Sequence, residues 1–257
     1  MSESATSEKA PKRNGKIQSV ERAFALLEAI ADAGGEISTS ELSTRSGLPV
    51  PTIHRQLQTL VALGYVRQLP SRWYALGARL VRLGDHASKQ LGGIARPELV
   101  SLVQDLSETA NLAMLDGDHM VYIAQSPSPH AMRMFTEVGR QALLHNSGVG
   151  KAVGAFLPEE QVRAILGRTG MPAATPQTLT DIDALATQLA TVRARGYAVD
   201  EQEQEVGVQC YAVPVPGAPA PMAVSVIGPV SRVAGDFVDV AVPRLKEAAA
   251  RIGALMS

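Results

Sequence analysis

One cysteine, Cys210, stands in a chain of 257 residues. A disulfide framework and a cysteine-rich zinc site are therefore both excluded within one chain. No apolar run reaches the roughly 18 residues that a membrane helix needs. The opening residues, MSESATSEKAPKRNGK, are polar and carry no apolar stretch of the signal-peptide kind. A cytoplasmic location with no membrane partner is expected. The five histidines, His54, His86, His119, His130 and His145, contain no i,i+4 pair, so no metal site and no cofactor is expected. Net charge is also nearly absent, at −1. Against these absences stand 46% hydrophobic and 19% charged residues, which are globular proportions, in a length that suits two domains.

The near-zero charge conceals an asymmetry. Residues 1–90 hold twelve Lys/Arg and eight Asp/Glu, a balance of +4. Residues 91–257 hold twelve basic and seventeen acidic residues, a balance of −5. Halves of opposite sign suggest different partners.

Residues 1–16 lack apolar periodicity and are expected to form a flexible basic tail. In the segment SVERAFALLEAIADAGG, Ser19 can cap a helix whose Val20, Phe24, Leu27 and Ala31 fall on one face, and Gly34-Gly35 stops it. A short helix is expected from Ser40 to Arg45. Gly47 can supply the left-handed turn, and Pro49 prevents continuation. The third helix reads VPTIHRQLQTLVALG, with Val50, Ile53, Leu57 and Leu60 towards the core. At about 100° per residue, Arg55 lies opposite them, flanked by Pro51, Thr52, Gln58 and Thr59, with His54 and Gln56 at the margins. No carboxylate occurs from Pro49 to Leu83. A face of cation, hydroxyls and amides suits the major groove of double-stranded DNA, where Arg and Gln read base edges and Thr bonds phosphate. Tyr65-Val66-Arg67, a Pro70-Ser71 turn and Trp73-Tyr74-Ala75 then predict a two-stranded wing. Arg67 near its base and Arg72 at its tip suit the phosphate backbone. Trp73 is expected to pack beneath the wing.

The runs SVERAFALLEAI, ISTSELSTRSGLPVPTIHRQLQTLVALGYV and YALGARLVRLG resemble the N-terminal domain of IclR-type transcriptional regulators. HNSGVGKAVGAFLPEE, RGYAVDEQEQEVGVQCYAVPV and VSVIGP resemble later segments of that family in the same order. The resemblance implies an α+β protein, with a winged helix-turn-helix followed by a GAF- or profilin-like effector domain built on an antiparallel sheet. It also implies homodimers or dimers of dimers on a DNA operator. The expected divisions are a tail at 1–16, a DNA-binding domain at 17–77, a linker helix at 78–92 and an effector domain at 93–257.

In the second part, ARLVRLGDHASKQLGG reads as the joining helix and IARPELVSLVQDLSETAN as another. Leu112–Leu115, a DGDH turn and Met120–Ala124 predict a hairpin, and MRMFTEVG predicts a further strand. Asp181 or Thr180 can cap a helix ending at Gly196. EVGVQCYAVPV and MAVSVIG are strand-like, and a last helix runs near Phe237 to Met256. The sequence GVGK suggests a phosphate loop, but His145 stands at the first glycine position and Ala152 at the Mg-binding hydroxyl. Ser147-Gly148-Val149-Gly150 precede a helix expected to begin near Lys151, a geometry that suits either a carboxylate or a plain tight turn.

The family resemblance implies an effector pocket lined by this loop and the two late strands. Carried over by position, its residues are Gly148, Val149, Asp200, Cys210 and Ser225, with Ile227 where a serine occurs in some relatives. Gln202 beside Glu203 replaces an acidic pair. The implied ligand is a small organic acid. Two other readings stay open: an enzyme using Cys210 or Asp200, and a DNA-binding protein without a ligand.

Overall fold

The computed structural model describes residues 17–134 and 136–256, and the expected basic tail lies outside them. The chain divides into two compact units between Asp85 and His86.

The first unit is built from three helices and a ribbon: α1 (Gln18–Asp32), α2 (Thr39–Ser46), α3 (Val50–Ala62), β1 (Val66–Gln68) and β2 (Tyr74–Leu76). Leu26, Ile30, Ile37, Leu42, Ile53, Leu57, Val66 and Tyr74 form its core. Each such side chain contributes about 1.5–3 kcal/mol when fully buried. The buried face of α1 is not the expected one. Leu26 and Ile30 are inside, whereas Val20 and Phe24 are 49% and 61% exposed. Apolar residues cover most of this helix's circumference, so spacing alone does not choose a face. Ser19 lies inside α1, and Ile17 occupies the cap position without a side-chain bond. Val50, expected in the core, is also exposed. Trp73 does not pack beneath the wing but is 44% exposed, whereas Tyr74 is buried and its hydroxyl accepts from Gln68 Nε2.

Helix α4 (Arg79–Gly92) follows, and the second unit continues with α5 (Arg96–Leu106), β3 (Thr109–Asp116), β4 (His119–Ser126) and β5 (Gln141–Ala142). It is completed by α6 (Gly148–Gly154), α7 (Glu159–Thr169), α8 (Ile182–Arg195), β6 (Ala198–Glu201), β7 (Val208–Pro214), β8 (Met222–Pro229), α9 (Val230–Val233) and α10 (Phe237–Met256). The six strands run β5-β4-β3-β8-β7-β6, every neighbour antiparallel.

Alternation sends successive side chains to opposite sides of this sheet. Leu112, Tyr211, Val213, Val224 and Val226 meet α5 and α10 on one face. On the other face, Ala113, Ala198, Ala212 and Ala223 meet α6, α7 and α8. The small residues on that second face let α6 sit close to the strands.

Asp181 caps α8 through Oδ1, and Gly196 ends it in the left-handed region. Helix α5 stops earlier than expected, because Ser107 turns the chain at φ 58° and β3 begins at Thr109. The described residues of MRMFTEVG form no strand; the edge of the sheet is the two-residue β5 instead.

Candidate DNA-binding and ligand-binding sites

Ser38 begins α2 by accepting a hydrogen bond from the Glu41 backbone amide. Gly47 ends it at φ 66°, and the Ser43 hydroxyl donates to the Leu48 carbonyl at 2.7 Å, which fixes the turn. Pro49 then opens α3. Pro51, His54, Arg55, Gln58 and Thr59 project into solvent and Thr52 is half-buried. The Thr59 hydroxyl donates to the Arg55 carbonyl, so it is engaged within the helix. In the wing, Arg67 is exposed on β1, and Arg72 is exposed at the turn, where its φ is 66°. Among the described residues Arg55, Arg67 and Arg72 have no ion-pair partner. A helix and wing presenting cations without carboxylates can approach phosphate at little electrostatic cost.

In the second unit the sheet gathers the other candidates. Asp200 pairs with Cys210 in register, and Cys210 pairs with Ile227. Ser225 lies one row along the same face, opposite Ala212. All of these side chains are buried. Helix α6 covers them, and a Cβ placed on Gly148 would lie 2.9 Å from Cys210 Sγ. Ser147 caps α6, accepting from Gly150 N at 3.0 Å, so Gly148 and Val149 form its first turn. The helix therefore starts three residues earlier than expected. Gly150 has a packing reason of its own: a Cβ there would meet the Leu144 carbonyl at 2.5 Å.

Burial dominates the electrostatics. It pushes the Asp200 carboxyl up to about 6, against the pull of its bond from Glu203 N and of the Lys151 charge. Burial also raises the Cys210 thiol and the Tyr122 phenol, and each is raised further by the Asp200 charge. A thiol held neutral in this way is a poor nucleophile. Asp200 Oδ1 accepts from Glu203 N at 2.7 Å, while Oδ2 has no partner. The Ser225 hydroxyl has no oxygen or nitrogen partner and faces the Cys210 thiol, which it lowers against the effect of burial.

Sequence reasoning missed three features. Lys151 is fully buried and ion-paired with buried Glu203. Tyr122 lies in the same electrostatic neighbourhood as Cys210 and Asp200. Asn111 is buried on β3, directly opposite Ser225. The available signal for Asn111 was one amide in the apolar run TANLAML. Among the described residues no group of three or more His, Cys, Asp or Glu could hold a metal ion. No helix among them is long and apolar enough to cross a membrane.

Comparison with known sequences matches residues 19–70 to the IclR helix-turn-helix domain. Residues 87–254 match the bacterial transcriptional regulator IclR C-terminal domain. The transcriptional repressor IclR of Escherichia coli is 39% identical over 236 residues, covering 87% of this chain and 84% of the relative. The acetate operon repressor of Salmonella typhimurium is likewise 39% identical over 236 residues, with the same coverage. A crystal structure of an IclR transcriptional regulator from Alicyclobacillus acidocaldarius superposes with a TM-score of 0.84 at 30% identity, covering 94% of this chain and all of that one. These relatives are transcriptional regulators and not enzymes.

Proposed function

The chain belongs to the IclR family of bacterial transcriptional regulators, and from that premise we propose that it represses transcription from a palindromic operator, under control of a small organic acid. A symmetric dimer places two copies of α3 in successive major grooves. Arg55, Thr52, Gln58 and Pro51 face the bases and their phosphates, with His54 and Thr59 at the edges. Arg67 and Arg72 anchor the wing. In this reading residues 17–77 bind DNA, 78–92 link, and 93–257 sense the ligand. Operator DNA puts the protein in the bacterial cytoplasm.

The observation that carries the DNA reading is the stretch from Pro49 to Leu83, without one carboxylate, on a helix-turn-helix and wing. The buried cluster of Asp200, Cys210, Ser225 and Ile227, covered by Gly148 and Val149, supports the ligand reading. The ligand shifts repression only by binding one arrangement of the DNA heads more tightly than another.

A gel-shift assay on the DNA upstream of the protein's own gene tests both parts. The probes are glyoxylate, pyruvate and 4-hydroxybenzoate. A specific complex released by one acid is expected. Arg55→Ala should abolish the complex while circular dichroism stays native. Asp200→Ala should spare the complex and blunt its release. Release that persists unchanged in Asp200→Ala would place the ligand elsewhere.

A further inference from the structure

We propose that Asn111, together with Ser225, contacts the ligand directly, and that the ligand is a small hydroxy acid. The proposal rests on the reading of the second unit as a ligand-binding domain. Asn111 sits mid-strand on β3, between Gln125 of β4 and Ser225 of β8. Its side chain is 1% exposed, yet neither its amide nitrogen nor its amide oxygen has a partner. Leaving a buried polar group unsatisfied costs about 1–3 kcal/mol. An amide retained at that cost calls for a partner that arrives with another molecule.

The surroundings indicate which partner. Ser225, directly opposite, has a hydroxyl that meets only the Cys210 thiol and no oxygen or nitrogen partner, and cross-strand side chains lie about 5 Å apart. Asp200 Oδ2, in the adjacent row, is the third such group on this face. The remaining neighbours on this face, Ala113, Ala212 and Ala223, bring no polar group to Asn111. The set therefore offers donors at Asn111 Nδ2 and Ser225 Oγ, and acceptors at Asn111 Oδ1 and Asp200 Oδ2. A carboxylate alone would use only the donors, and an alcohol alone would leave them short of acceptors. A carboxylate carrying a hydroxyl satisfies both. Asn111, Ser225 and Asp200 are each only 1% exposed, so a ligand that meets all three is small and enclosed.

The test uses the full chain and Asn111→Leu, a near-isosteric change, with glycolate and lactate as probes and acetate and pyruvate as the hydroxyl-free controls. Thermal unfolding gives stability and calorimetric titration gives affinity. Wild type should bind a hydroxy acid more tightly than its control. Asn111→Leu should unfold no lower than wild type without ligand, and should lose about tenfold in hydroxy-acid affinity, the effect of one hydrogen bond to a charged oxygen. A variant several degrees less stable would mark Asn111 as structural and overturn the proposal, unless Asn111→Ala keeps its fold and shows the same affinity loss. Equal binding by variant and wild type overturns the role of Asn111 alone. Equal binding of acid and control overturns the hydroxyl. If glyoxylate and 4-hydroxybenzoate also fail on wild type, the ligand-binding reading falls and takes this proposal with it.

Discussion

Gly148 and Cys210 touch across the interface between α6 and the sheet, with room for no more than a hydrogen at position 148: a Cβ there would come within 2.9 Å of Sγ and 3.4 Å of the Cys210 Cβ. Asp200 and Ile227 are the cross-strand partners of Cys210. The contact therefore sets how closely the first turn of α6 can lie over the candidate pocket.

Gly148→Ala should cost about 1–3 kcal/mol, the usual penalty for overpacking a filled interior. Cys210→Ala removes the sulfur and leaves an ordinary contact, so in that background the same change should cost much less. Urea denaturation of the four proteins measures the coupling. Additive effects would mean that α6 and β7 are not in rigid contact here.

Lys151 and Glu203 make a second, electrostatic, link between α6 and the segment after β6. Both are buried, and Glu203 also holds the Thr178 hydroxyl on its carbonyl at 2.6 Å. Removing one member strands the other charge inside. Lys151→Met should therefore cost about 3–5 kcal/mol. The double variant Lys151→Met, Glu203→Met should recover most of that loss, since no charge is left buried. A coupling energy near zero in the double-mutant cycle would refute the link.

Much of the fold was legible because local chemistry decided it. Gly47 and Gly196 take the left-handed conformation at helix ends, Asp181 caps α8, and Gly117 turns the β3–β4 hairpin at φ 57°. The last helix spans Phe237–Met256 as its pattern indicates. The misreadings arose where tertiary packing chose between local options. Helix α1 could bury either of two apolar faces. Ser107 ends α5 in a conformation that a serine does not announce. On the candidate pocket, the resemblance named residues that the register places together, namely Asp200, Cys210 and Ile227 in one row and Ser225 in the next. Asn111 and the Lys151–Glu203 pair were not visible. Their meaning depends on partners 114 and 52 positions away in sequence, which no local pattern records.

Asp200 should make stability depend on pH. Its folded-state value of about 6 stands above the ordinary 3.8, chiefly through burial. The folded state thus holds the proton more tightly than the unfolded state. Between about pH 4 and 6 the carboxyl stabilises the fold while protonated, and that stabilisation is lost as pH rises. The full penalty at neutral pH is about 3 kcal/mol. Asp200→Asn can keep the oxygen that accepts from Glu203 N and removes the titration. Its stability relative to wild type should therefore grow as pH rises from 4 to 7. Parallel urea midpoints across that range would exclude a raised Asp200.

Arg72 closes the wing turn at φ 66°, with its amide donating to the Leu69 carbonyl at 2.9 Å. That conformation costs a non-glycine residue about 1 kcal/mol. Arg72→Gly relieves the strain but frees the unfolded chain by about 0.5–1 kcal/mol. The two effects nearly cancel, so the melting temperature should hardly move. If Arg72 neutralises one operator phosphate, the same change should lower affinity similarly for cognate and altered operators. It should also reduce the slope of log affinity against log salt by about 0.9. Arg55→Ala, by contrast, should abolish the preference for the cognate site over an altered one, because base contacts carry specificity. Fluorescence anisotropy titrations at three salt concentrations separate the two. An unchanged slope for Arg72→Gly would mean that the wing tip does not reach the DNA backbone.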